Sequence, residues 1–357
     1  MKRVLIINQG KSENLGDKAI NISLEQLFKE QGFLVDTAGY SQTYEQYMST
    51  MDINRNTGLR SLIKKYTPIP IVWLFKYRSK INNEFTQISH SKSYDLVVIG
   101  GGQLIKTKCV FVYALMTWIN ILKKELNCPI ILLGVGADNN YSTLEKLIYK
   151  KIIPKIDDVY VRDNKSKLIF SEVFQQESKI IPDVVFSYHK FFPAQTLDKK
   201  LFTVMIYDYK TLKNHFGTEH SKQDYYNEWK NLILENVRDG MEIVLAYTAI
   251  GDKYETMNFA SYLRDKSQLN FKVVETDELD SLVNILQRTE ILLTGRMHGM
   301  ILGINYRAEV IPYVISPKIA AFVDDYLKNG YELESYNKKI NEVIENIINT
   351  DYKIKKI

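Results

Sequence analysis

The stretch YDLVVIGGGQLI (94–105) decides the fold class of this chain. An almost unbroken apolar run ends in three glycines. The helical pattern FVYALMTWINILKKEL (111–126) and a second apolar run, PIILLGVG (129–136), follow it. Strands that are apolar throughout and alternate with helices are typical of a parallel sheet covered by helices on both faces. The stretch therefore predicts an α/β fold, with the glycines at the carboxyl end of a strand.

The alternation extends in both directions from this stretch. It begins with strand RVLIIN (3–8) and continues to strand KIIPDVVFS (179–187), lapses at YHKFFPAQTLDKK (188–200), and restarts with LFTVMIYDY (201–209). We therefore predict two Rossmann-like domains that face each other across a cleft. In such sheets ligands bind outside the carboxyl ends of the strands, so the cleft is the predicted site. The predicted parts are residues 1–188, a linker at 189–200, residues 201–334, and a C-terminal helix within 335–357.

The charge of the chain is concentrated in one segment. The net charge is +5, yet residues 53–83 hold seven basic and no acidic residues, which leaves 40 basic against 42 acidic residues elsewhere. A near-neutral remainder argues against a nucleic-acid-binding protein. Two cysteines are too few for a disulfide framework or a zinc site. With no apolar run long enough to span a bilayer and no convincing signal peptide, we expect a cytoplasmic protein.

Two glycine-containing turns in the first half are candidate binding loops. In NLGDKAI (14–20), Gly16 and Asp17 stand at the start of the first helix. Asp17 is interpreted either as a helix N-cap or as an acceptor for a sugar hydroxyl or a general base. In IGGGQLI (99–105), Gly101 and Gly102 permit positive φ and close approach of a ligand, although a tight structural turn explains them equally well. Neither nucleotide-binding fingerprint is matched.

Two further strand ends carry charged residues. LLGVGAD (132–138) ends at Asp138, which by itself is a weak signal. In YVRDNKS (160–166), Arg162 ends a strand and Asp163 is placed to cap the next helix. For Arg162 a surface ion pair and a ligand-binding role remain equally open.

The stretch TGRMHGMILGIN (294–305) places an arginine and a histidine at a strand-to-helix turn. The first N–H groups of a helix and its dipole favour an anion, and arginine adds a planar, bidentate fork. Histidine can carry a proton near neutral pH. Gly299 and Gly303 are expected to let the helix lie close to the sheet. We therefore predict an anion site at Arg296, Met297, His298 and Gly299, with a histidine that caps the helix or bridges internal groups as the alternative for His298. No metal-binding or serine-hydrolase motif accompanies it.

These stretches, in this order, resemble the polysaccharide pyruvyl transferase family. The similarity runs from NLGDKAI through VVIGGGQL, LLGVGAD, VRDNKS, IPDVVF and LLTGRMHGMILG to ISPKIAAF (315–322). It implies a fold like that of GT-B glycosyltransferases. It also implies transfer of a pyruvyl group from phosphoenolpyruvate to two hydroxyls of a sugar, with release of phosphate and without a cofactor.

The resemblance also implies roles for particular residues. It associates Arg162, Arg296 and His298 with phosphoenolpyruvate. Because Arg296 and His298 lie in the predicted second domain, we expect that domain to be the phosphoenolpyruvate side. From the chemistry that this reaction needs, we hypothesise that His298 is the acid or a donor to the leaving phosphate and that Asp17 or Asp138 is the base. The expected acceptor side is the first domain, with Gly16, Asp17, Gly101, Gly102 and Gln103. Lys318 is a further candidate for contact with the acceptor or the phosphate, with an ordinary surface lysine as the alternative.

The segment RSLIKKYTPIPIVWLFKYRSK (60–80) mixes basic and aromatic residues. This composition suits the surface of an anionic membrane, so a lipid-linked oligosaccharide acceptor at the cytoplasmic face of the inner membrane would explain it. A partly buried helix or loop explains it equally well. Two other functions also remain open, a GT-B glycosyltransferase that uses a nucleotide sugar and a non-catalytic protein that binds an anion or sugar.

Overall fold

A computed structural model of the chain describes residues 1–41, 78–89, 92–195, 197–217, 220–328, 330 and 332–352. Its contacts divide it into two compact units. The first unit comprises Met1–Ser12, Ile20–Val184 and the chain from Lys338 onward, and the second comprises Glu13–Ala19 and Val185–Asn337. The short segment Glu13–Ala19 belongs to the second unit. The single boundary after residue 188 that we predicted from the sequence does not anticipate this. The last turns of the C-terminal helix group with the first unit.

The first unit is built on a six-stranded sheet in the order β2-β1-β3-β4-β5-β6, with every neighbouring pair parallel. The order changes direction between β1 and β3, which is the position where parallel α/β sheets bind ligands. Its strands are β1 Arg3–Asn8, β2 Leu34–Gly39, β3 Leu96–Ile105, β4 Ile130–Ala137, β5 Asp158–Val161 and β6 Lys179–Ile180. Its helices are α1 Leu15–Glu30, which belongs to this unit from Ile20 onward, and α2 Arg78–Ser89, α3 Phe111–Glu125, α4 Thr143–Ile152 and α5 Asn164–Glu172.

The second unit is built on a five-stranded parallel sheet in the order β11-β10-β7-β8-β9. Here β8 and β9 follow on one side of β7, and β10 and β11 follow on its other side, so the strand order changes direction at β7. The strands are β7 Leu201–Met205, β8 Glu242–Leu245, β9 Phe271–Val273, β10 Thr289–Thr294 and β11 Glu309–Pro312. The helices are α6 Tyr188–Phe191, α7 Tyr209–Phe216, α8 Lys222–Asn236, α9 Ile250–Lys266, α10 Leu279–Arg288, α11 Met297–Asn305 and α12 Pro317–Phe322. A further helix, α13 Leu333–Asn349, begins in this unit, and its residues from Lys338 onward belong to the first unit.

Burial explains why the continuous apolar runs form the central strands. Every residue of β4 is buried, and so is every residue of β3 except Gln103. Covering both faces of these strands removes large apolar areas from water, which is the main favourable term in folding. Side chains also fix where helices begin. Ser142 and Glu145 form a capping box at the start of α4, and Asp163 caps α5 as predicted.

The strand predicted at 179–187 is much shorter than expected. Only Lys179 and Ile180 pair with β5, and residues 184–187 form a turn of 3₁₀ helix. Pro182 lacks the backbone N–H that a strand ladder needs, so the sheet ends before it.

The basic segment at 53–83 is described only at its end. Residues 53–77, and so most of the proposed membrane-binding stretch 60–80, lie outside the described residues. From residue 78 the chain forms α2, which buries Ile81 and Phe85. In the part of the chain that the structure describes, no helix has the length and apolarity needed to cross a bilayer.

We expect Gly100→Ala to destabilise the first unit. A methyl group at Gly100 would overlap the carbonyl oxygen of Leu133 on the neighbouring strand, and backbone atoms in a sheet centre cannot move aside. Overpacking of this kind costs about 1–3 kcal/mol or more of unfolding free energy. Urea unfolding measures it. Gly251→Ala is the control, because the nearest atom to a methyl group there is 3.9 Å away. Equal stability of the two variants would contradict this account of Gly100.

Candidate functional site

Arg296 lies at the carboxyl edge of the second sheet, separated from β10 by Gly295, at the N-cap of α11. Its Nε donates to Oδ2 of Asp252 at 2.7 Å, and its Nη2 donates to Oδ1 at 2.6 Å. Its guanidinium carbon lies 3.9 Å from the ring centroid of Tyr207, which follows β7. A carboxylate and an aromatic face therefore hold the guanidinium. An incoming anion would be bound through Nη1 or would have to displace Asp252.

Burial makes this ion pair a strong local constraint. The side chain of Asp252 is 1% exposed and that of Arg296 is 23% exposed. Burial raises the pKa of the Asp252 carboxyl above its ordinary value, and Arg296 opposes that rise. Burial also opposes the charge on Arg296, but the neighbouring Asp252 and Tyr207 leave the pKa of the guanidinium raised. We conclude that Arg296 is a fixed cation in the second unit.

His298 is the second residue of α11, and its imidazole packs against Gly16 at the start of α1. A methyl group at Gly16 would overlap the ring, so only glycine fits there without displacing it. Residues 13–19 and His298 belong to the same unit, and Leu15 N donates to Thr248 O at 2.9 Å within it. The structure thus brings together two stretches that lie about 280 positions apart in the sequence.

Asp17 is not the N-cap of α1. It is the third residue of the helix, and the side chain of Asn14 accepts a hydrogen bond from Gly16 N at 2.9 Å. Asp17 directly follows Gly16, the residue that contacts the ring of His298. The capping interpretation of Asp17 is therefore wrong, because Asn14 occupies that role.

The remaining predicted residues of the anion stretch are buried around the start of α11. Met297 is buried, and the backbone N–H of Arg296 donates to Thr294 Oγ1 at 3.1 Å. A methyl group at Gly303 would lie 2.5 Å from Leu292 Cδ2 on β10, and one at Gly299 would lie 3.3 Å from Thr294 Oγ1. These distances confirm that the two glycines let α11 lie close to the sheet.

A second polar cluster lies at the carboxyl edge of the first sheet. The Gln103 side chain donates through Nε2 to Asp138 Oδ1 at 2.9 Å and accepts from Arg162 Nη2 at 2.6 Å. Arg162 Nη1 donates to Asp183 Oδ2 at 3.4 Å. The other Asp138 oxygen accepts from Thr107 N at 3.2 Å. Predicted residues at the ends of β3, β4 and β5 are therefore joined in one hydrogen-bonded chain.

Arg162 forms ion pairs, but they are not on the surface. Its side chain is 3% exposed and that of Asp183 is 4% exposed. The glycines around the cluster make room for it. A methyl group at Gly136 would lie 2.5 Å from Gln103 Oε1 and 2.8 Å from Arg162 Nη2. Gly101 and Gly102 adopt φ of 76° and 79°, the left-handed region that favours glycine.

Lys318 lies in the first turn of α12, which Ser316 caps. Three residues in the two clusters, Tyr207, Asp252 and Asp183, are absent from the set that we predicted from the sequence. Asp183 lies in the IPDVVF stretch that carries part of the family resemblance, so a signal for it existed. For Asp252 and Tyr207 the sequence holds no motif. Among the described residues, no group of three or more His, Cys, Asp and Glu is placed to hold a metal ion.

Gly16→Ala is expected to reduce any activity that depends on the position of His298. Misplacing a reacting group by about 1 Å can cost on the order of 100-fold in rate, and the added methyl group must displace the ring. Steady-state turnover measures the effect. In a His298→Ala background the same substitution should cost little, because the ring is no longer there. An equal loss in both backgrounds would show that Gly16 acts independently of His298.

The folded chain resembles solved structures of one class. A UDP-GlcNAc 2-epimerase from Methanocaldococcus jannaschii superposes with a TM-score of 0.52 at 12% identity, covering 98% of this chain and 99% of that one. A putative UDP-N-acetylglucosamine 2-epimerase from Listeria monocytogenes gives 0.53 at 11%, covering 98% and 89%. Together with the two parallel sheets, these similarities define two Rossmann-like units of the GT-B type.

The sequence places the chain more narrowly within that class. The family model of polysaccharide pyruvyl transferase matches residues 14–317, which include both polar clusters. The chain belongs to the polysaccharide pyruvyl transferase family, and it is a transferase. No curated protein matches the chain.

Proposed function

We propose that this chain transfers the pyruvyl group of phosphoenolpyruvate to two hydroxyls of a sugar in a surface polysaccharide or its precursor. The observation that carries the proposal is the arrangement at the start of α11. There a fixed arginine, a histidine and the N-terminal end of a helix lie at the carboxyl edge of the second sheet. Phosphoenolpyruvate is an anion with a phosphate and a carboxylate. A cation beside a helix N-terminus suits it.

The proposed reaction needs one acid and one base. Protonation of the methylene carbon makes C2 electrophilic, a sugar hydroxyl attacks C2, phosphate leaves, and a second hydroxyl closes the cyclic ketal. In our proposal His298 donates the proton, either to the methylene carbon or to the leaving phosphate. Asp17 is the first candidate for the base that deprotonates the sugar, because it lies one residue from Gly16, which His298 contacts. Asp138 is the second candidate, but both of its carboxylate oxygens accept hydrogen bonds.

The other assignments are proposals of the same kind. Met297 and Gly299 would contribute backbone to the phosphoenolpyruvate site. Arg162 is also proposed for phosphoenolpyruvate, although its burial beside Asp183 and Gln103 favours a role in holding the first cluster together. Gly16, Gly101, Gly102, Gln103 and Lys318 are the proposed acceptor residues. A lipid-linked acceptor and membrane contact through 60–80 are tested by liposome flotation, in which a charge-neutralised variant should be recovered less well.

Phosphate release from phosphoenolpyruvate tests the function directly. We expect release that depends on an added acceptor glycan, and a ketal in the product glycan by mass spectrometry. A thermal-shift comparison of phosphoenolpyruvate with UDP-sugars is the first arm. Stabilisation by UDP-sugars alone would identify a nucleotide-sugar glycosyltransferase. Stabilisation by phosphoenolpyruvate with no release in the presence of varied acceptors would favour a binding protein.

A further inference from the structure

The buried carboxylate of Asp252 forms a bidentate ion pair with Arg296. It lies in the first turn of α9 and is 1% exposed, and both of its oxygens accept from Arg296. Its Oδ1 also accepts from the backbone N–H of Asp208 at 3.0 Å. The carboxylate is thus fixed on one side by the loop after β7 and directs its other contacts to the arginine.

The contacts constrain the arginine in three ways. The bidentate pair fixes the plane of the guanidinium, because Nε and Nη2 must both face the carboxylate. The guanidinium carbon also lies over the Tyr207 ring, 3.9 Å from its centroid. The backbone of Arg296 is held where its N–H donates to Thr294 Oγ1. With Nε and Nη2 occupied, Nη1 is the nitrogen that can face a ligand while the pair remains intact.

We propose that Asp252 is the positioning residue of this site: it orients Arg296 so that Nη1 and the start of α11 act together on a bound anion. The proposal rests on the proposed function for the identity of that anion as phosphoenolpyruvate. It assigns Asp252 no contact with the substrate. Asp252 acts through Arg296, so its effect on ligand affinity requires the arginine to be present.

The test is a double-mutant cycle on Asp252 and Arg296, with affinities for phosphoenolpyruvate and for inorganic phosphate measured by calorimetry. Asp252→Asn has the same shape but loses the paired charge. We expect it to weaken phosphoenolpyruvate binding by about tenfold or more, the size of effect seen when supporting partners of a ligand-binding group are removed. In an Arg296→Lys background the same change should have little effect, because lysine cannot make the bidentate pair. If Asp252 serves only the fold, Asp252→Asn should lower stability equally in both backgrounds, and its effect on ligand affinity should be the same with and without Arg296.

The matched control is Glu255→Gln, one turn further along α9. Glu255 is also buried, but its partners are Tyr209, Tyr226 and Lys222. We expect it to leave anion affinity unchanged. Because Asp252→Asn leaves the partly buried Arg296 without its counterion, Asp252→Glu is made as well. It keeps the charge but shifts the carboxylate, so it should fold and still bind phosphoenolpyruvate more weakly.

The outcomes separate the two proposals. If the wild-type protein binds inorganic phosphate but not phosphoenolpyruvate, the proposed function fails, and coupling in phosphate affinity still supports the positioning role. If the wild type binds phosphoenolpyruvate and Asp252→Asn and Asp252→Glu bind it equally well, the positioning role is overturned and the function stands. If the wild type binds neither anion, both are overturned.

Discussion

His298→Ala is expected to lower acceptor-dependent phosphate release from phosphoenolpyruvate by about 10²–10⁴-fold, the range that general acid–base catalysis contributes. The structure supports so large an effect because the imidazole lies at the start of α11 and packs against Gly16, and no second histidine is near it in sequence. Substrate affinity should change less than turnover, since the positive charge of Arg296 remains. The measurement is kcat and KM for phosphoenolpyruvate at saturating acceptor.

A second substitution at the same position separates proton transfer from orientation. His298→Gln keeps a group that can donate a hydrogen bond through its side-chain N–H but cannot carry the proton. If His298 is the acid, His298→Gln should be as slow as His298→Ala. If the histidine only orients the phosphate, the glutamine variant should recover much of the rate. His220→Ala is the control, because residue 220 is exposed. Wild-type turnover by His298→Ala would remove His298 from the mechanism.

The sequence predicts the central strands well because burial on both faces leaves an unmistakable pattern. β4 is apolar throughout, β1 and β3 are apolar except at Arg3, Asn8 and Gln103, and β1 has the predicted bounds, 3–8. β2 (Leu34–Gly39) was not predicted. Only Ala38 and Gly39 within it are buried, so LVDTAG shows no continuous apolar run. The strand nevertheless pairs along its whole length with β1. Tertiary pairing overrides a weak local preference here.

Some residues of the candidate site could likewise be predicted from the sequence, and others could not. Arg296, His298, Gln103, Asp138 and Arg162 were predicted, because polar residues at strand ends are unusual beside apolar strands. Asp252 was not, because one carboxylate in the first turn of a helix usually serves the helix dipole. Its role depends on α9 lying where both carboxylate oxygens reach Arg296, a distance of 44 residues in the sequence. The contact between Gly16 and His298 has the same long-range origin and could not be inferred from spacing.

Arg296→Lys is expected to raise KM for phosphoenolpyruvate by about 10–100-fold, because lysine keeps the charge but cannot make the bidentate pair with Asp252 that leaves Nη1 facing the ligand. The control is Arg264→Lys, since Arg264 is exposed and lies over the Phe271 ring. An unchanged KM would mean that Arg296 does not bind the substrate and serves the fold alone.

Arg296→Met tests the electrostatics of the buried pair independently of any substrate. Removing one partner of a buried ion pair costs about 3–5 kcal/mol of unfolding free energy, because a buried charge is left without compensation. The pKa of Asp252 is already raised by burial, and loss of the guanidinium that opposes the rise should raise it further. The folded variant then holds a proton that the unfolded chain has released above about pH 4, the ordinary range of aspartate. Its stability should therefore fall as the pH rises through the folded-state pKa of Asp252.

Urea unfolding at pH 5 and pH 8 measures this difference, with the Arg296→Met/Asp252→Asn double variant as the control. If Asp252 is the titrating group, the double variant should lose the added pH dependence, whereas an equal dependence in both variants would assign it to another group.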